Sequence, residues 1–345
     1  MRGRGTWWRV LPVLVVLALG AGGLWVNSPP PTAKAVRVVL PTGSGSLRIG
    51  QNLADAGAIR SAWAWLALVW VRGWQNDLKA GTYEIPPGRS LIAVADQVRR
   101  GETLRFRYRI IEGWNLAQMA SYFEQLGYFR TREFLALTSG PGMIRPAWLP
   151  EGLDRLEGFL FPSTYELPAE TLGARAAVNQ MLSTFEKTAL PLWRARVKPA
   201  RSLKDWVALA SLIEKEAAVG EERATIAGVF ANRLRLGMPL ASDPTVEYAF
   251  GIRQTADTPL TYAQVLKPSP YNTYINPGLP PTPIASPGLA SLEAALAPAL
   301  TPYLYFVARY DGTHVFSRTE AEHEQAKRQI RAERRAGAGA APQAR

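Results

Sequence analysis

Apolar and polar positions fall into distinct patterns along the chain. Residues 10–26, VLPVLVVLALGAGGLWV, are 17 positions without a charge. Such a run predicts a helix at the short end of what crosses a bilayer, which takes about 20 apolar residues. Arg2, Arg4 and Arg9 precede it and the next basic residue is Lys34. That asymmetry predicts a cytoplasmic N-terminus (1–9), a transmembrane anchor (10–28) and an exported body in a single-pass inner-membrane protein. Trp7, Trp8 and Trp25 stand near the ends of the run, where amphipathic rings favour the interface. The same layout also serves a cleavable signal peptide, with ALGAGG offering small residues for cleavage.

A different pattern repeats further on. Gly88, Leu91, Val94, Ala95 and Val98 match Gly113, Leu116, Met119, Ala120 and Phe123 position for position. Gly43, Ile49, Gly50 and Leu53 follow the same spacing. Each copy opens on a strand-like lead (VRVVL, TYEI, RYRII), passes a glycine turn and continues with apolar residues at helical spacing. Three βα units are therefore expected between 36 and 130, and Asn115 with Gln118 forms a capping box for the third helix. Residues 60–74, RSAWAWLALVWVRGW, are too short and too arginine-flanked to span a membrane and read as a core helix. Tyr83, Ile85, Pro87, Gly88, Ser90 and Leu91 resemble the LysM pattern, a small module that binds N-acetylglucosamine polymers. Arg89 departs from it, standing where an acidic residue or Asn is usual.

From 131 to 325 the patterning predicts a larger mixed α+β domain. Pro141, Pro146, Pro150 and Pro162 break any long helix in its first part. Helical spacing appears over 175–190 and again over 203–235, the latter interrupted near Val219 and Gly220. Residues 239–302 are loop-rich, and 301–317 alternate about Asp311–Gly312 as a β-hairpin does. A charged helix follows, and 326–345 read as a charged, disordered tail.

Composition narrows the chemistry. The 345 residues contain no Cys and two His, His314 and His323, against 28 acidic side chains. Disulfides, thiolate metal sites and thiol nucleophiles are excluded, and acid–base work falls to carboxylates. A formal charge of +12 favours polyanions: lipid, cell-wall polymer or nucleic acid. Export disfavours nucleic acid as a partner. No glycine-rich nucleotide loop or metal-ligand cluster is found, so neither cofactor nor metal is expected.

The best candidate for that work is the helix around ALASLIEKEAA. Trp206, Leu209, Ala210, Ile213 and Ala217 form one apolar stripe, with Lys215 pointing away from it. Glu214 and Glu216 lie on opposite margins, where partial burial would raise a carboxyl pKa. Periodicity does not choose between them.

Five segments in order carry a longer likeness: LEGFLFPSTYEL, ASLIEKEA, VFANRLRLGMPLASDPTVEYAFG, YNTYINPGLPPTPIASPGLASLEAALAP and YLYFVARYDGTHVFSRTEAEH. Together they resemble the MltG (YceG-like) family of membrane-anchored endolytic murein transglycosylases over essentially the whole chain. The resemblance implies an enzyme that cuts the MurNAc–GlcNAc β-1,4 bond within nascent peptidoglycan strands. It leaves a 1,6-anhydro end, limits strand elongation and works beside peptidoglycan synthases. It places the catalytic acid at the first glutamate of the (I/V)EKE motif, Glu214. Ser242, Asp243 and Thr245, with Tyr271, Asn272, Thr273 and Tyr274, then become candidates for substrate binding, and Glu157 a further one. His314 could line the cleft, while His323 is expected to be solvated. Ser163 stands where the family's FP(D/E)TY motif usually carries an acid. Two other functions fit the same residues: a muramidase-type hydrolase using Glu214 and Asp243, and a non-catalytic peptidoglycan-binding scaffold.

Overall fold

The computed structural model describes residues 7–195, 201–255, 258–309 and 311–339. It is a mixed α+β chain that divides into two compact units. The first comprises the chain up to Arg107 together with Glu166–Leu172, and the second comprises Tyr108–Tyr165 and everything from Gly173 onward.

The chain opens on helix α1 (Trp7–Asn27). Among the described residues, however, no helix is long and apolar enough to cross a membrane. The expected transmembrane helix and the single-pass inner-membrane placement are corrected accordingly. The cause is visible in the composition of the run. It stops at 17 apolar positions, and its second half is diluted by Gly20, Gly22 and Gly23, which contribute helix length but almost no hydrophobic surface. Of the expected N-terminal segment, residues 1–6 lie outside the described residues.

The repeats appear as expected at the level of elements. Strand β1 (Val36–Leu40) leads through a turn at Gly43 into α2 (Ser46–Asp55). Strand β2 (Gly81–Ile85) leads past Gly88 into α4 (Leu91–Arg100), and β3 (Arg105–Arg109) past Gly113 into α5 (Leu116–Gln125). Gly43, Gly88 and Gly113 hold φ of 81°, 78° and 76°, a region costly for residues with a Cβ. That requirement is why the glycine is the fixed point of the repeat. Both bonds of the Asn115–Gln118 capping box are formed.

The first two copies pair with each other. β1 and β2 are antiparallel, with Val38 opposite Tyr83 and Leu40 opposite Gly81. Val38, Leu40, Ile49, Leu53, Tyr83, Ile85, Val94 and Val98 close one core beneath them. Helix α3 (Ala62–Val71) adds Trp65 and Val69 to this core, as its apolar composition predicts, but turns Trp63 and Trp70 to solvent. β3 pairs instead with β4 (Thr164–Pro168), and the third helix, α5, belongs to the second unit.

In the second unit α6 (Thr131–Thr138) and α7 (Ala174–Arg194) precede α8 (Leu203–Glu216), the element that carries the acidic motif. Ser202 caps α8 by accepting the Asp205 N–H. Its burial is wider than one stripe, because Val207, Ala208, Ser211 and Leu212 are buried along with Trp206, Leu209, Ala210 and Ile213. Neighbouring helices explain this. α9 (Arg223–Arg235) and α12 (Leu289–Leu296) pack on it, and the Trp206 indole N–H donates to the Leu292 carbonyl at 2.9 Å. After Lys204 and Asp205 in the first turn, charged residues return only at Glu214, where the last turn leaves the core. The interruption expected near 219–220 is a short 3-10 turn, Gly220–Glu222.

The loop-rich stretch contains α10 (Asp243–Phe250) and the single turn α11 (Tyr262–Val265). The hairpin forms as predicted: β5 (Tyr305–Ala308) pairs antiparallel with β6 (His314–Ser317), setting Ala308 opposite His314. A final helix, α13 (Glu320–Gly339), extends into the segment expected as a tail, of which 340–345 lie outside the described residues.

Candidate active site

The last turn of α8 opens onto a cleft of about 1190 Å³ within the second unit. Glu112, Lys215, Glu216, Arg233, Asp243, Glu247, Tyr248, Tyr274 and His314 are among the residues that line it. Sequence-distant elements thus meet here: the end of α8, the face of α9, the start of α10, the loop before α12, and the hairpin.

Glu216 is the acid most fully engaged by this cleft. The Ser242 hydroxyl donates to its Oε1 at 2.6 Å. Burial pushes its carboxyl up to about 7, with the nearby Asp243 and Glu247 carboxylates adding to the rise, while the Ser242 bond and Arg233 oppose it. Arg233 is itself held in place by its guanidinium bonds to the carbonyls of Leu304, Pro239 and Leu240, and it lies over the Tyr305 ring. The cation is therefore fixed near the acid without forming a direct ion pair among the described residues.

Ser242 and Asp243 are presented by strained backbone. Ala241 takes φ of 48°, unusual for a residue with a Cβ, while its N–H donates to the Thr273 carbonyl at 3.0 Å. Ser242 then donates its own N–H to the Thr273 hydroxyl at 3.1 Å. Asp243 opens α10, accepting the Tyr274 hydroxyl on Oδ1 and the Gln254 amide on Oδ2 at 2.9 Å. Burial and the Asp243 carboxylate drive the Tyr274 phenol well above its ordinary pKa, so it stays a protonated donor.

Other expected contact residues make their bonds within the protein. Thr245 and Thr273 are buried and share a hydroxyl–hydroxyl bond of 3.0 Å. Asn272 is fully buried, its amide donating to the carbonyls of Val265 and Lys267. Tyr271 packs at a tilt against Tyr248, with 5.0 Å between ring centroids, and bonds Thr282. It lines a second, smaller cleft rather than the main one. Glu157 is only 3% exposed and reaches the main cleft through a neighbour. It accepts the Leu116 N–H and the Tyr248 hydroxyl, each at 3.0 Å. Burial pushes its carboxyl up to about 8. Gly158 beside it has φ of 85°, and a Cβ there would fall 2.4 Å from Pro283, so the turn requires glycine.

Glu214 faces elsewhere. Its Oε2 accepts the Gly288 N–H at 2.9 Å, at the start of α12, and it is not among the residues lining the cleft. Glu112 approaches the same glycine, since a Cβ on Gly288 would fall 2.1 Å from its Oε1. Burial and the Glu214 carboxylate raise Glu112 above its ordinary pKa, and Arg223 pulls the other way. Two carboxyls at a helix N-terminus match the helix dipole. Glu112, Glu222, Arg233 and Tyr248 escaped sequence reasoning because no spacing links them to α8. His323, expected in solvent, stacks on Tyr305 at 5.3 Å, and burial with Lys327 nearby lowers its pKa.

Known proteins share this arrangement of segments. The model of the YceG-like family matches residues 38–329. The chain belongs to the YceG-like family. A Bacillus subtilis relative named endolytic murein transglycosylase is 32% identical over 306 residues, covering 85% of this chain and 84% of its own length. A Streptococcus pneumoniae relative of the same name is 31% identical over 91% of this chain, which spans 64% of that relative's length. The crystal structure of a YceG-like protein of Listeria monocytogenes superimposes with a TM-score of 0.59 at 30% identity, covering 85% of this chain and 99% of that one.

Proposed function

We propose that this YceG-like protein is an endolytic peptidoglycan lytic transglycosylase and that Glu216 is its general acid. The observation that carries this reading is the environment of Glu216. Its carboxyl lines the cleft, bonds Ser242 at 2.6 Å and is raised to about 7, so that a large fraction stays protonated near neutral pH. The bacterial relatives named endolytic murein transglycosylase support the reaction class. Glu214 remains the expectation from the family motif. Its bond to Gly288 and its absence from the cleft lining favour a structural role for it instead.

In this scheme a glycan strand lies along the cleft with its MurNAc–GlcNAc bond at Glu216. Glu216 gives its proton to the glycosidic oxygen as the bond to C1 breaks. Asp243, held by Tyr274 and Gln254, supplies negative charge near the positive charge that develops at C1. The muramoyl C6 hydroxyl then closes on C1, giving the 1,6-anhydro end without consuming water. Its proton needs an acceptor, and the carboxylate left on Glu216 is one. Cutting inside a growing strand would limit its length, beside the synthases that make it. The paired βα units would add glycan contacts in the manner of LysM modules.

Mass spectrometry of digested peptidoglycan tests the reading. Wild-type protein is expected to release anhydro-ended fragments, one water lighter than reducing ends. Reducing ends alone would favour the hydrolase, and no cleavage at all the scaffold.

A further inference from the structure

The His314–Glu222 pair is built like a catalytic dyad, and the scheme above does not use it. Glu222 ends the short turn that follows α8, six positions after Glu216. Its Oε1 accepts the backbone N–H of His314 at 3.0 Å, and its Oε2 lies 2.7 Å from the ring Nδ1. One carboxylate therefore fixes both the main chain and the ring of this residue. The imidazole side chain is 6% exposed and the glutamate 18%. Phe306 stands edge-on to the ring at 5.4 Å and Phe316 flanks it at 6.2 Å, so rotation is blocked on both sides.

With a carboxylate at Nδ1, that nitrogen is the ring's donor to Glu222, and Nε2 is the nitrogen left to meet a substrate. Nε2 makes no hydrogen bond among the described residues, nor is it one of their sealed, unpartnered polar atoms. His314 lines the same cleft as Glu216. The turn of the hairpin approaches the end of α8 closely, since a Cβ on Gly312 would lie 3.8 Å from Ala218 and 3.6 Å from Val219. The ring is therefore held at the wall of the cleft that Glu216 also lines, with one nitrogen left without a protein partner among the described residues.

We propose that His314 is the general base of the reaction, oriented by Glu222, and that it takes the proton of the muramoyl C6 hydroxyl. The inference rests on the transglycosylase reading. The C1–O4 bond breaks first, its electron pair leaving with O4 as O4 takes the proton from Glu216. O6 then bonds to the electron-poor C1 on the face that O4 has left, and the O6–H proton passes to Nε2. The imidazolium and carboxylate that remain return to imidazole and carboxylic acid by proton exchange with water. Acid and base are then two groups rather than one used twice, and neither must change role within a single bond exchange.

The test compares full-length wild type with His314→Gln and His314→Ala on purified peptidoglycan, following kcat and KM for anhydro-ended product. A base of this kind contributes on the order of 10²-fold or more. His314→Gln keeps the bulk and hydrogen-bonding capacity of the side chain but is not basic, so kcat is expected to fall by about that factor with KM unchanged. His314→Ala leaves a hole beside Glu222, and added imidazole is expected to restore part of its kcat, which a structural role would not allow. Wild-type kcat in His314→Gln overturns the proposal while leaving the transglycosylase reading intact. A folded His314→Ala protein that imidazole does not rescue also overturns it. Should the alanine variant fail to fold, the kcat and KM of His314→Gln decide alone. Absence of anhydro product from wild type removes the underlying reading instead.

Discussion

Glu214 and Glu216 stand two positions apart on one helix end and belong to different places. Glu214 lies against the first residues of α12, accepting the Gly288 N–H where a helix N-terminus welcomes negative charge. Glu216 faces a cleft, bonds a hydroxyl and has two further carboxylates nearby. Both are half-buried, so exposure does not separate them. What separates them is the partner each meets: the Gly288 N–H for Glu214, and for Glu216 a cleft whose burial and neighbouring carboxylates favour the protonated acid. The same residue type meets a helix N-terminus on one flank of α8 and the cleft on the other.

The most direct way to break this comparison is to neutralise each acid in turn. Glu216→Gln is expected to lower kcat by about 10²–10⁴-fold, the usual worth of a positioned general acid. Glu214→Gln is expected to keep turnover within a few-fold and to lower Tm modestly, since a charge at a helix N-terminus contributes about 0.3–1 kcal/mol. Parallel assays and thermal melts on the two variants check both halves. An inactive but fully stable Glu214→Gln protein would reverse the assignment.

Asp243→Asn comes next in size. Removing this charge takes away negative potential beside the reacting carbon, at a cost of about tenfold or more in kcat. It also removes one of the carboxylates that raise Glu216, so the acid becomes easier to ionise. Because the reaction needs Glu216 protonated, the alkaline fall in kcat/KM, expected near pH 7 for the wild type, should move to lower pH. Ser242→Ala sharpens the same point with the opposite sign. The Ser242 hydroxyl stabilises the carboxylate form of Glu216, so its loss raises the pKa and moves the alkaline limb to higher pH. Opposite displacements in two neighbouring variants are hard to reconcile with an acid located anywhere else. If both profiles stayed at the wild-type position, Glu216 would not be the titrating group.

Why the chain yields some of this on reading and withholds the rest follows from distance along it. The βα units are legible because strand lead, glycine turn and helical spacing all lie within about 20 residues, and the positive φ at Gly43, Gly88 and Gly113 is local. The hairpin around Asp311 and the break after α8 are legible for the same reason. The acidic helix was recognisable, but its two glutamates were equivalent by periodicity, and the groups that separate them come from Gly288 on one side and Ser242–Asp243 on the other. Tyr271, Asn272, Thr245 and Thr273 looked like binding residues because sugar grooves use such side chains. Buried turns use them as well, and three of these four are buried. The N-terminal run misled for a different reason, since charge asymmetry around it reads as orientation even where no helix among the described residues is long and apolar enough to cross a membrane.

The mildest effect concerns stability rather than turnover, and it isolates a buried acid that touches the cleft only through Tyr248. Glu157 is raised from an ordinary 4.5 to about 8 by burial. Between those values the folded protein binds a proton that the unfolded chain has released, so stability is greatest at the acid end and falls as pH rises through the window. The slope contributed by one such group is at most about 1.4 kcal/mol per pH unit. Glutamine matches the protonated acid in shape, with its carbonyl able to accept the Leu116 N–H and its amide able to donate to Tyr248. Glu157→Gln should therefore leave stability nearly unchanged at the acid end and raise it relative to wild type at the alkaline end. Glu216 titrates in both proteins, so its own pH dependence cancels in the difference between them. Urea unfolding of the two proteins at both ends of the window measures that difference directly. A gap that stays constant with pH would mean that Glu157 is already ionised in the folded state, held by its two donors despite its burial.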